Sequence, residues 1–368
     1  MANIVLRDIW KRYGDVQALQ GVSFECRDGE FFCLLGPSGA GKTTTIKIIA
    51  GIEAPDKGDV LIEDKSISGS PPWDRDVAVA FESYALYPQR TVFENMAFPL
   101  KAPIRASRYP KDELEKRVKE IANLLGIGDL LDRYPRELSG GQRQRVALGR
   151  ALVRKPKAYL LDEPIAHLDA KLRHHMRGEL KKIQTELGIT TIYATPDQLE
   201  ALSMADTIAV INNGRIEQIG TPDEIYNRPV NVFVARFVGD PPMNVLDSIL
   251  EAEALVVHSN GSFFRIPIPP MDWPLLTERV EGGELKVGIR AKDIQLVPES
   301  AEIVHAKGRV KDVETLGQTT VVIVMVGSVE VKVKIPTAQA PDRDSRVGLV
   351  LDSSKLHYFD VKTDYRIK

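Results

Sequence analysis

Short apolar runs with β-like character open the chain, at residues 4–6, 22–24 and 31–35. The run at 31–35 is apolar throughout, which is typical of a strand buried on both faces of a parallel sheet. Between residues 112 and 125 the apolar positions follow a helical period instead. These positions are Leu114, Val118, Ile121, Leu124 and Leu125. Strand-like and helix-like segments alternate to about Tyr226, and this alternation predicts an α/β fold.

The pattern changes near residues 239–242, which read Gly-Asp-Pro-Pro. Beyond them come short β-rich runs that Gly, Pro and Asp separate. The runs cover residues 263–268, 285–289, 319–326 and 329–335. We therefore expect a first domain over residues 1–240 and a separate, smaller, mostly β domain over residues 241–368, built as a small barrel.

Composition narrows the class of protein. A chain of 368 residues is about right for two domains. Lys plus Arg number 49 against 51 for Asp plus Glu, so the net charge of -2 gives no electrostatic reason to expect a nucleic-acid partner. The two cysteines, Cys26 and Cys33, form no metal-binding pattern, and so few cysteines favour a reducing cytosol.

Membrane insertion is not expected of this chain itself. Arg7 and Asp8 interrupt the first ten residues, which excludes a signal-peptide core there. We find no run of about 18 apolar residues that could span a bilayer. If the protein works at a membrane, we expect other chains to span it.

A phosphate-binding loop is predicted at residues 36–44. Their sequence, GPSGAGKTT, matches G-x-x-x-x-G-K-[ST] and lies between a buried strand and a helical stretch. The residues expected to hold the phosphates of ATP are Gly36, Ser38, Gly39, Gly41, Lys42, Thr43 and Thr44. Lys42 would reach the β- and γ-phosphates, and the Thr43 hydroxyl would bind Mg²⁺. The alternative is an ordinary glycine-rich turn before a helix.

An acidic pair ends a second apolar run, at residues 158–163. Adjacent carboxylates at the end of a buried strand are costly unless they have a task. We expect Asp162 to hold Mg²⁺ through its waters and Glu163 to polarise the attacking water. A plain strand end with solvated acids is the alternative, and the phosphate loop upstream favours the functional interpretation.

The run LSGGQRQR at residues 138–145 identifies a family. With it the chain resembles the ABC ATPases, whose signature is LSGGQ. Ser139, Gly140 and Gly141 can open a helix, and a helix N-terminus attracts anions. A simple Ser-Gly-Gly helix cap would account for the first few residues but not for the whole run between the two other motifs.

The resemblance implies a head-to-tail dimer. Each ATP then lies between the phosphate loop of one chain and the signature of the other, here Ser139, Gly140, Gly141 and Gln142. Tyr13 matches the aromatic residue that stacks on adenine, or else it is a half-buried strand tyrosine. Residues 168–169 match the loop that touches the opposing subunit. Residues 83–88 match the segment that receives the coupling helix of a membrane subunit.

The last third resembles the joining segment and regulatory domain of maltose-type importer ATPases, at residues 237–244, 287–290 and 316–317. The resemblance thus implies a P-loop ABC cassette with a helical subdomain at about 90–155, followed by an OB-like regulatory domain. It implies ATP-driven import of a sugar, polyol or related solute. The implied partners are two transmembrane permease subunits and, indirectly, an extracytoplasmic solute-binding protein. The resemblance also implies a peripheral membrane protein at the cytoplasmic face of the inner membrane.

Three positions depart from the family pattern. Glu82 stands where Gln is expected, Pro196 where His is expected, and Ala166 where Ser is expected. Glu82 can still ligate Mg²⁺, but an ionised carboxylate cannot donate a hydrogen bond. Pro196 has neither a side-chain donor nor a backbone N–H for the γ-phosphate. Ala166 lacks the hydroxyl of the loop that crosses the dimer.

These departures favour an asymmetric dimer of two different ATPase chains. The chain's own site would be weak, while its signature would complete a strong site on a second, non-identical ATPase. A fully active homodimer is the alternative. A soluble ABC ATPase of DNA repair or translation is another, although the chain has one cassette and no long heptad tract. A poorly hydrolysing regulatory subunit is the third, and Glu163 argues against complete inactivity.

Overall fold

The computed structural model describes residues 2–81, 83, 85–103, 109–259 and 262–367. They form two compact units, Met1–Pro222 and Asp223–Lys368. This division comes earlier than the boundary expected at residue 240. The short helix Val232–Phe237 belongs to the second unit, because Val232 and Ala235 pack in one cluster with Met243 and Phe359.

The first unit combines strands and helices in alternation, and the predicted α/β class is confirmed. Its strands are β1 (Ile4–Tyr13), β2 (Val16–Cys26), β3 (Phe31–Leu35), β4 (Lys57–Ile62), β5 (Lys65–Ser66), β6 (Val77–Ala80), β7 (Ala158–Asp162), β8 (Thr190–Thr195), β9 (Thr207–Asn212) and β10 (Arg215–Gly220). Its helices are α1 (Lys42–Ala50), α2 (Val92–Ala97), α3 (Lys111–Leu124), α4 (Gly140–Leu152), α5 (Ala170–Leu187) and α6 (Gln198–Met204).

Two sheets build this unit. The central sheet has the order β10-β9-β3-β8-β7-β6 and is parallel except for β10. All five residues of β3 are buried, as its apolar run predicts. An antiparallel sheet of order β2-β1-β4-β5 packs against it, and the rings of Phe24 and Phe32 stack 4.7 Å apart where the two meet. The carboxyl ends of β3, β7 and β8 therefore lie side by side.

Helices α2, α3 and α4 contact one another within the range predicted for the helical subdomain. Helix α3 occupies nearly the predicted positions and buries Leu114, Val118 and Ile121. Gly149 allows the close approach of α2 and α4, because a Cβ atom there would lie 2.8 Å from Cε of Met96. Among the described helices, none combines the length and the apolar character that crossing a membrane requires.

The second unit is β-rich, as predicted. Its strands are β11 (Asn244–Glu251), β12 (Ala254–Ser259), β13 (Ser262–Pro267), β14 (Glu284–Ile289), β15 (Ile294–Val297), β16 (Ala306–Leu316), β17 (Thr319–Val326), β18 (Val329–Pro336), β19 (Arg346–Leu351) and β20 (His357–Asp360). They form two antiparallel sheets, β13-β12-β11-β14-β20 and β15-β19-β16-β17-β18, around one apolar core. Its helices are α7 (Pro222–Asn227), α8 (Val232–Phe237) and α9 (Trp273–Arg279).

We expect a chain that ends at Pro222 to fold on its own. Its apolar cluster lies on β1 to β4 and β6 to β9 with α1, and none of the members of that cluster comes from the second unit. Circular dichroism of the shortened chain should show a cooperative melt, and titration should show ATP binding close to that of the full chain. An insoluble product, or a chain without a cooperative transition, would contradict the division into two independent units.

Candidate functional site

The predicted motifs meet at one edge of the central sheet. Leu35 is the register partner of Thr195, and Asp162 is that of Ala194. The next residues continue these links. The Gly36 N–H donates to the Thr195 carbonyl at 3.3 Å, and the Glu163 N–H donates to the Ala194 carbonyl at 2.9 Å. The phosphate loop, the acidic pair and position 196 therefore follow three adjacent strands.

Close packing explains two glycines of the phosphate loop. A Cβ atom on Gly36 would lie 2.2 Å from the Ile211 carbonyl oxygen, so no side chain fits there. Gly41 has φ 108°, and a Cβ atom on it would lie 2.7 Å from Cδ2 of Leu19. Helix α1 begins at the next residue, so the loop leads directly into a helix N-terminus.

Lys42 and Glu163 face each other across this edge. Lys42 is only 4% exposed, and its Nζ donates to the carbonyl oxygens of Gly36 at 2.9 Å and Pro37 at 3.0 Å. The same Nζ lies 3.4 Å from Oε1 of Glu163. Glu163 has φ 48°, a left-handed conformation that is uncommon for a side chain of this kind. The turn thus directs the carboxylate back toward the phosphate loop.

A cavity of about 440 Å³ opens beside this ion pair. Its lining includes most of the predicted phosphate-site residues, namely Ser38, Gly39, Gly41, Lys42, Thr43 and Thr44, together with Glu163. It also includes residues that the motifs did not indicate, namely Val16, Gln17, Ala18, Gln20, Asn213 and Gly214. Lys42 is the one cation among these lining residues, all of which the structure describes, and the other polar groups are amides and hydroxyls.

Gly36, Asp162 and Tyr13 were predicted for the ATP site but are not among the residues that line the cavity. Asp162 is 2% exposed at the end of β7, directly before Glu163. Tyr13 is the last residue of β1 and is 40% exposed, with the Lys11 ammonium 5.3 Å from its ring centroid. The sequence left open whether Tyr13 is a half-buried strand residue. In the structure, much of its side chain is accessible to solvent.

The signature forms the start of α4. Ser139 caps the helix, and its Oγ accepts from the Gln142 N–H at 3.3 Å. Oε1 of Gln142 accepts from the Ser139 N–H at 2.8 Å, which completes a capping box. Ser139 is exposed, Gly140 and Gly141 are partly exposed, and none of the four signature residues lines the cavity of its own chain.

Gln144, in the same run, was missed as a functional candidate. It is 2% exposed, its Nε2 donates to the Glu163 carbonyl at 3.1 Å, and its Oε1 accepts from the His167 N–H at 3.2 Å. This side chain therefore ties the signature helix to the loop that carries Glu163. The available signal was an uncharged amide on the buried face of a helix, which needs hydrogen-bond partners.

Replacing Gln144 by leucine should lower both stability and ATP turnover. The Glu163 carbonyl and the His167 N–H would each lose one hydrogen bond, and an intramolecular hydrogen bond contributes about 0.5–1.5 kcal/mol. We expect a lower midpoint in urea and a fall in kcat that exceeds any change in KM for ATP. Gln142→Leu, which removes one hydrogen bond of a partly exposed helix cap, is the matched control for stability. Equal stability of Gln144→Leu and the parent chain would contradict this role.

The turn at Pro196 is fixed by its neighbours. Pro196 is exposed directly after β8, and the Asp197 N–H donates to Oγ1 of Thr195 at 3.0 Å. Buried Glu200 accepts from Oγ1 of Thr195 at 2.6 Å and from the Tyr193 hydroxyl at 2.8 Å. Burial raises the pKa of Glu200. Position 196 therefore stands on a well-braced turn beside the phosphate loop.

Of the other two positions that depart from the family pattern, the structure describes one. Ala166 is partly exposed, and its N–H donates to the Glu163 carbonyl at 3.3 Å. Arg173 donates to the carbonyls of Ala166 at 3.3 Å and Leu168 at 3.1 Å, and this holds the loop after Glu163. Glu82, the third departure, lies outside the described residues.

Part of the predicted coupling segment, residues 83 and 85–88, is described. Nη1 of Arg150 on α4 donates to the Ala85 carbonyl at 2.8 Å. The ring of Tyr87 lies 4.6 Å from that of Phe98, and the Arg90 guanidinium lies 4.6 Å from the Phe98 ring. Tyr87 and Phe98 are each 38% exposed, so they form an accessible aromatic surface on the side of α4.

Comparisons with known proteins agree with this geometry. The family model for ABC transporters matches residues 19–166, and the model for the TOBE domain matches residues 287–359. Among solved structures, the ATP-binding cassette MJ0796, a dimer bound to ADP and Pi, is 29% identical with a TM-score of 0.55. The match covers 60% of this chain and 98% of that one. The first unit is thus the ATPase cassette of an ABC transporter.

Relatives extend over the whole chain. The trehalose/maltose import ATP-binding protein MalK of Thermococcus litoralis is 47% identical, over 99% of both chains. The sulfoquinovosyl glycerol transport ATP-binding protein SmoE of Agrobacterium fabrum is 41% identical over 100% of both. The sn-glycerol-3-phosphate import ATP-binding protein UgpC of Rhodopseudomonas palustris is 42% identical, also over 100% of both. The chain belongs to the ATP-hydrolysing subunits of ABC transporters and, within them, to the sugar-importer type.

Proposed function

We propose that this chain hydrolyses ATP to drive the import of a sugar, a polyol or a related solute such as a glycerol derivative. The relatives named above are import or transport ATP-binding proteins for such solutes. The observation that carries the proposal is the facing pair of Lys42 and Glu163 at the mouth of the phosphate-loop cavity. A cation and a carboxylate thus lie side by side at this cavity, where they would meet the γ-phosphate and the attacking water.

ATP binding rests on the loop after β3. Backbone N–H groups of Gly39, Gly41 and the first turn of α1 would cradle the phosphates, with the N-terminal partial charge of the helix behind them. Lys42 supplies a full positive charge from a nearly buried position. Tyr13 would stack on adenine, since its ring is 40% exposed at the end of β1.

The residues at this edge also fit Mg²⁺. The described residues contain no cluster of three or more His, Cys, Asp or Glu side chains arranged to hold a metal. Mg²⁺ usually keeps several waters and binds through one or two carboxylates plus substrate phosphates. The Thr43 hydroxyl would bind the ion directly, Asp162 would hold it through its waters, and Glu82 would be a further ligand. When bound, Mg²⁺ neutralises charge on the β- and γ-phosphate oxygens.

Glu163 would act on the water that attacks the γ-phosphate. Its carboxylate would accept a hydrogen bond from that water and orient it in line with the bond to be broken. Three hydrogen bonds hold the backbone of Glu163. The Glu163 N–H donates to Ala194, and its carbonyl accepts from Gln144 and from the Ala166 N–H. Small displacements of the carboxylate are thereby limited.

The signature would serve a second chain. Ser139, Gly140, Gly141 and Gln142 lie outside the chain's own cavity, so their exposed helix start is available to the γ-phosphate held by a facing subunit. Two pairings are possible, with a second copy of this chain or with a non-identical ATPase. The comparisons give no support to a non-identical partner. Pro196 is the observation that favours one, because it offers the γ-phosphate no hydrogen-bond donor.

The expected assembly is peripheral at the cytoplasmic face of the inner membrane. There the chain would bind two transmembrane permease subunits, which in turn receive solute from an extracytoplasmic binding protein. The Tyr87 and Phe98 surface is where we place the permease contact. The discriminating experiment is purification of the natural complex from membranes, with its subunits counted by mass. Recovery with ribosomes or DNA and without permeases would instead support a non-transport ABC ATPase.

A further inference from the structure

The second unit contains a cavity of about 520 Å³ that no motif of the chain predicts. Separate segments converge on it, from the end of α7, the turn before α9, the turn after β14, the turn before β20 and the last residues of the chain. Its lining cations are Arg228, Arg290, Lys292, Lys355 and Arg366. Its lining carboxylates are Asp272 and Asp293. Positive groups thus outnumber negative ones in a concave space, where their fields add.

Arg290 is the fixed member of this group. It is 3% exposed, and its guanidinium stacks 4.3 Å above the ring of Tyr226. Its Nη1 donates to the carbonyls of Ala235, at 3.0 Å, and Val238, and its Nη2 donates to that of Tyr226 at 2.6 Å. Carbonyl oxygens accept from both Nη atoms without cancelling the charge, whereas the buried Nε has no hydrogen-bond partner among the described residues. A buried cation held by neutral partners leaves a positive potential in the cavity beside it.

The pKa values of neighbouring groups agree with a positive potential in this cavity. Burial first, and then the Arg228 charge, lower the pKa of Arg366. Burial first, and then Arg366 and Arg290, lower the pKa of His357 to about 4, so this ring is neutral at pH 7. The carboxylates compensate only partly. Asp293 interacts with Lys292, Lys355 and Arg290, yet burial raises its pKa. Asp272 accepts a hydrogen bond from the Tyr358 hydroxyl at 3.1 Å.

We propose that this cavity binds a small phosphate dianion, either inorganic phosphate or a phosphate monoester. Cations reach the space from several directions, which suits a tetrahedral anion better than a planar carboxylate. The volume lies within the range of about 300–1,000 Å³ that is usual for small-molecule sites. Asn227 and Ser354 add neutral polar groups that could meet the hydroxyls of an ester. The site is distinct from the phosphate-loop cavity, because every residue that lines it belongs to the second unit.

The ring of His357 provides a local probe. The full chain, labelled with ¹³C at histidine, would be titrated with sodium phosphate at pH 7.5, where phosphate is mostly a dianion. The His357 resonance, identified by its loss in His357→Gln, should shift and saturate. Phosphate that binds instead at the phosphate loop of the first unit would not move this signal. The same shift with sodium chloride at matched ionic strength would indicate screening alone and would overturn the proposal.

Two exposed lysines supply the matched variants. Lys355→Gln removes a cation that lines the cavity, and Lys307→Gln removes one on β16 that does not line it. We expect Lys355→Gln to weaken phosphate binding about tenfold, as for loss of one hydrogen bond to a charged group, and Lys307→Gln to leave it within about twofold. Equal affinities of the two variants would refute the assignment. Both side chains are exposed, so a difference in affinity reports the lost charge and not a change of fold.

Glycerol 3-phosphate separates the two sources of the ligand. If it binds about tenfold more tightly than inorganic phosphate, the ester is the ligand, and Asn227 or Ser354 meets its hydroxyls. If inorganic phosphate binds at least as tightly as glycerol 3-phosphate, free phosphate is the ligand. Either result supports the proposal, provided that Lys355→Gln reduces the affinity. Failure of both compounds to shift the His357 resonance at 10-fold or greater excess over about 1 mM protein would overturn it.

Discussion

Lys42→Ala is expected to weaken Mg-ATP binding by about 100-fold or more. Lys42 carries the one positive charge among the described residues that line the cavity, and its ammonium is nearly buried. A hydrogen bond to a charged group contributes about 1.5–3 kcal/mol, and a phosphate chain would accept more than one from this side chain. Isothermal titration of the purified variant with Mg-ATP measures the loss directly. Unchanged affinity would refute the phosphate-loop assignment.

The control for this variant is Lys47→Ala. Lys47 lies in the last turn of the same helix, so its replacement removes an equal charge from the end of α1 that faces away from the phosphate loop. We expect its affinity for Mg-ATP to stay within about twofold of the parent chain. Lys42→Ala also leaves Glu163 without its ion-pair partner, so a thermal melt of each variant should accompany the titration. A folded Lys42→Ala chain that does not bind ATP isolates the effect on binding.

Local sequence predicted the parts of the site that depend on strand ends. The run at residues 31–35 and the run before Asp162 are apolar enough to be central strands, and parallel strands bring their carboxyl ends together. The facing of Lys42 and Glu163 follows from that rule. The cavity walls at residues 16–18, 20 and 213–214 do not, because they belong to two hairpins that meet the phosphate loop only through long-range contacts. The Gln20 N–H donates to the Gly214 carbonyl at 2.8 Å, and the Gly214 N–H donates to the Ala40 carbonyl at 3.0 Å.

The second unit shows the same limit. The runs at 319–326 and 329–335 became β17 and β18, since they are rich in apolar and β-branched residues. Strand β16 escaped prediction, because only Ala306 and Val310 among its eleven residues are buried and charged residues fill much of the rest. The position of α8 in this unit depends on Val232 and Ala235 meeting Phe359, more than one hundred residues later. Such long-range contacts also determine where the two units divide.

Glu163→Gln and a disrupted signature should have different effects if the ATPase pair is asymmetric. In the purified natural complex, Ser139→Arg should abolish hydrolysis, because the signature would complete the strong site on the partner. Glu163→Gln should reduce it much less, because Glu163 would belong to the weak site. The physical reason is Pro196, since loss of one donor to a transferring phosphoryl group typically costs about 10²-fold or more. Phosphate release at saturating ATP distinguishes the two variants.

Restoring the family's residues at two of the departing positions completes this test. Glu82→Gln combined with Pro196→His should raise the turnover of the isolated chain by about 10²-fold, because it restores an amide and an imidazole donor beside the γ-phosphate. The turn tolerates the change if the contacts of Thr195 with Glu200 and Asp197 persist, since these hold the backbone on both sides of position 196. Ala166→Ser is the control, because it restores a hydroxyl without supplying either of those donors. The asymmetric pair is excluded if the unmodified chain alone turns over as fast as its full complex and Glu163→Gln eliminates that activity. The chain would then be a homodimeric importer ATPase in which Pro196 is compatible with full turnover.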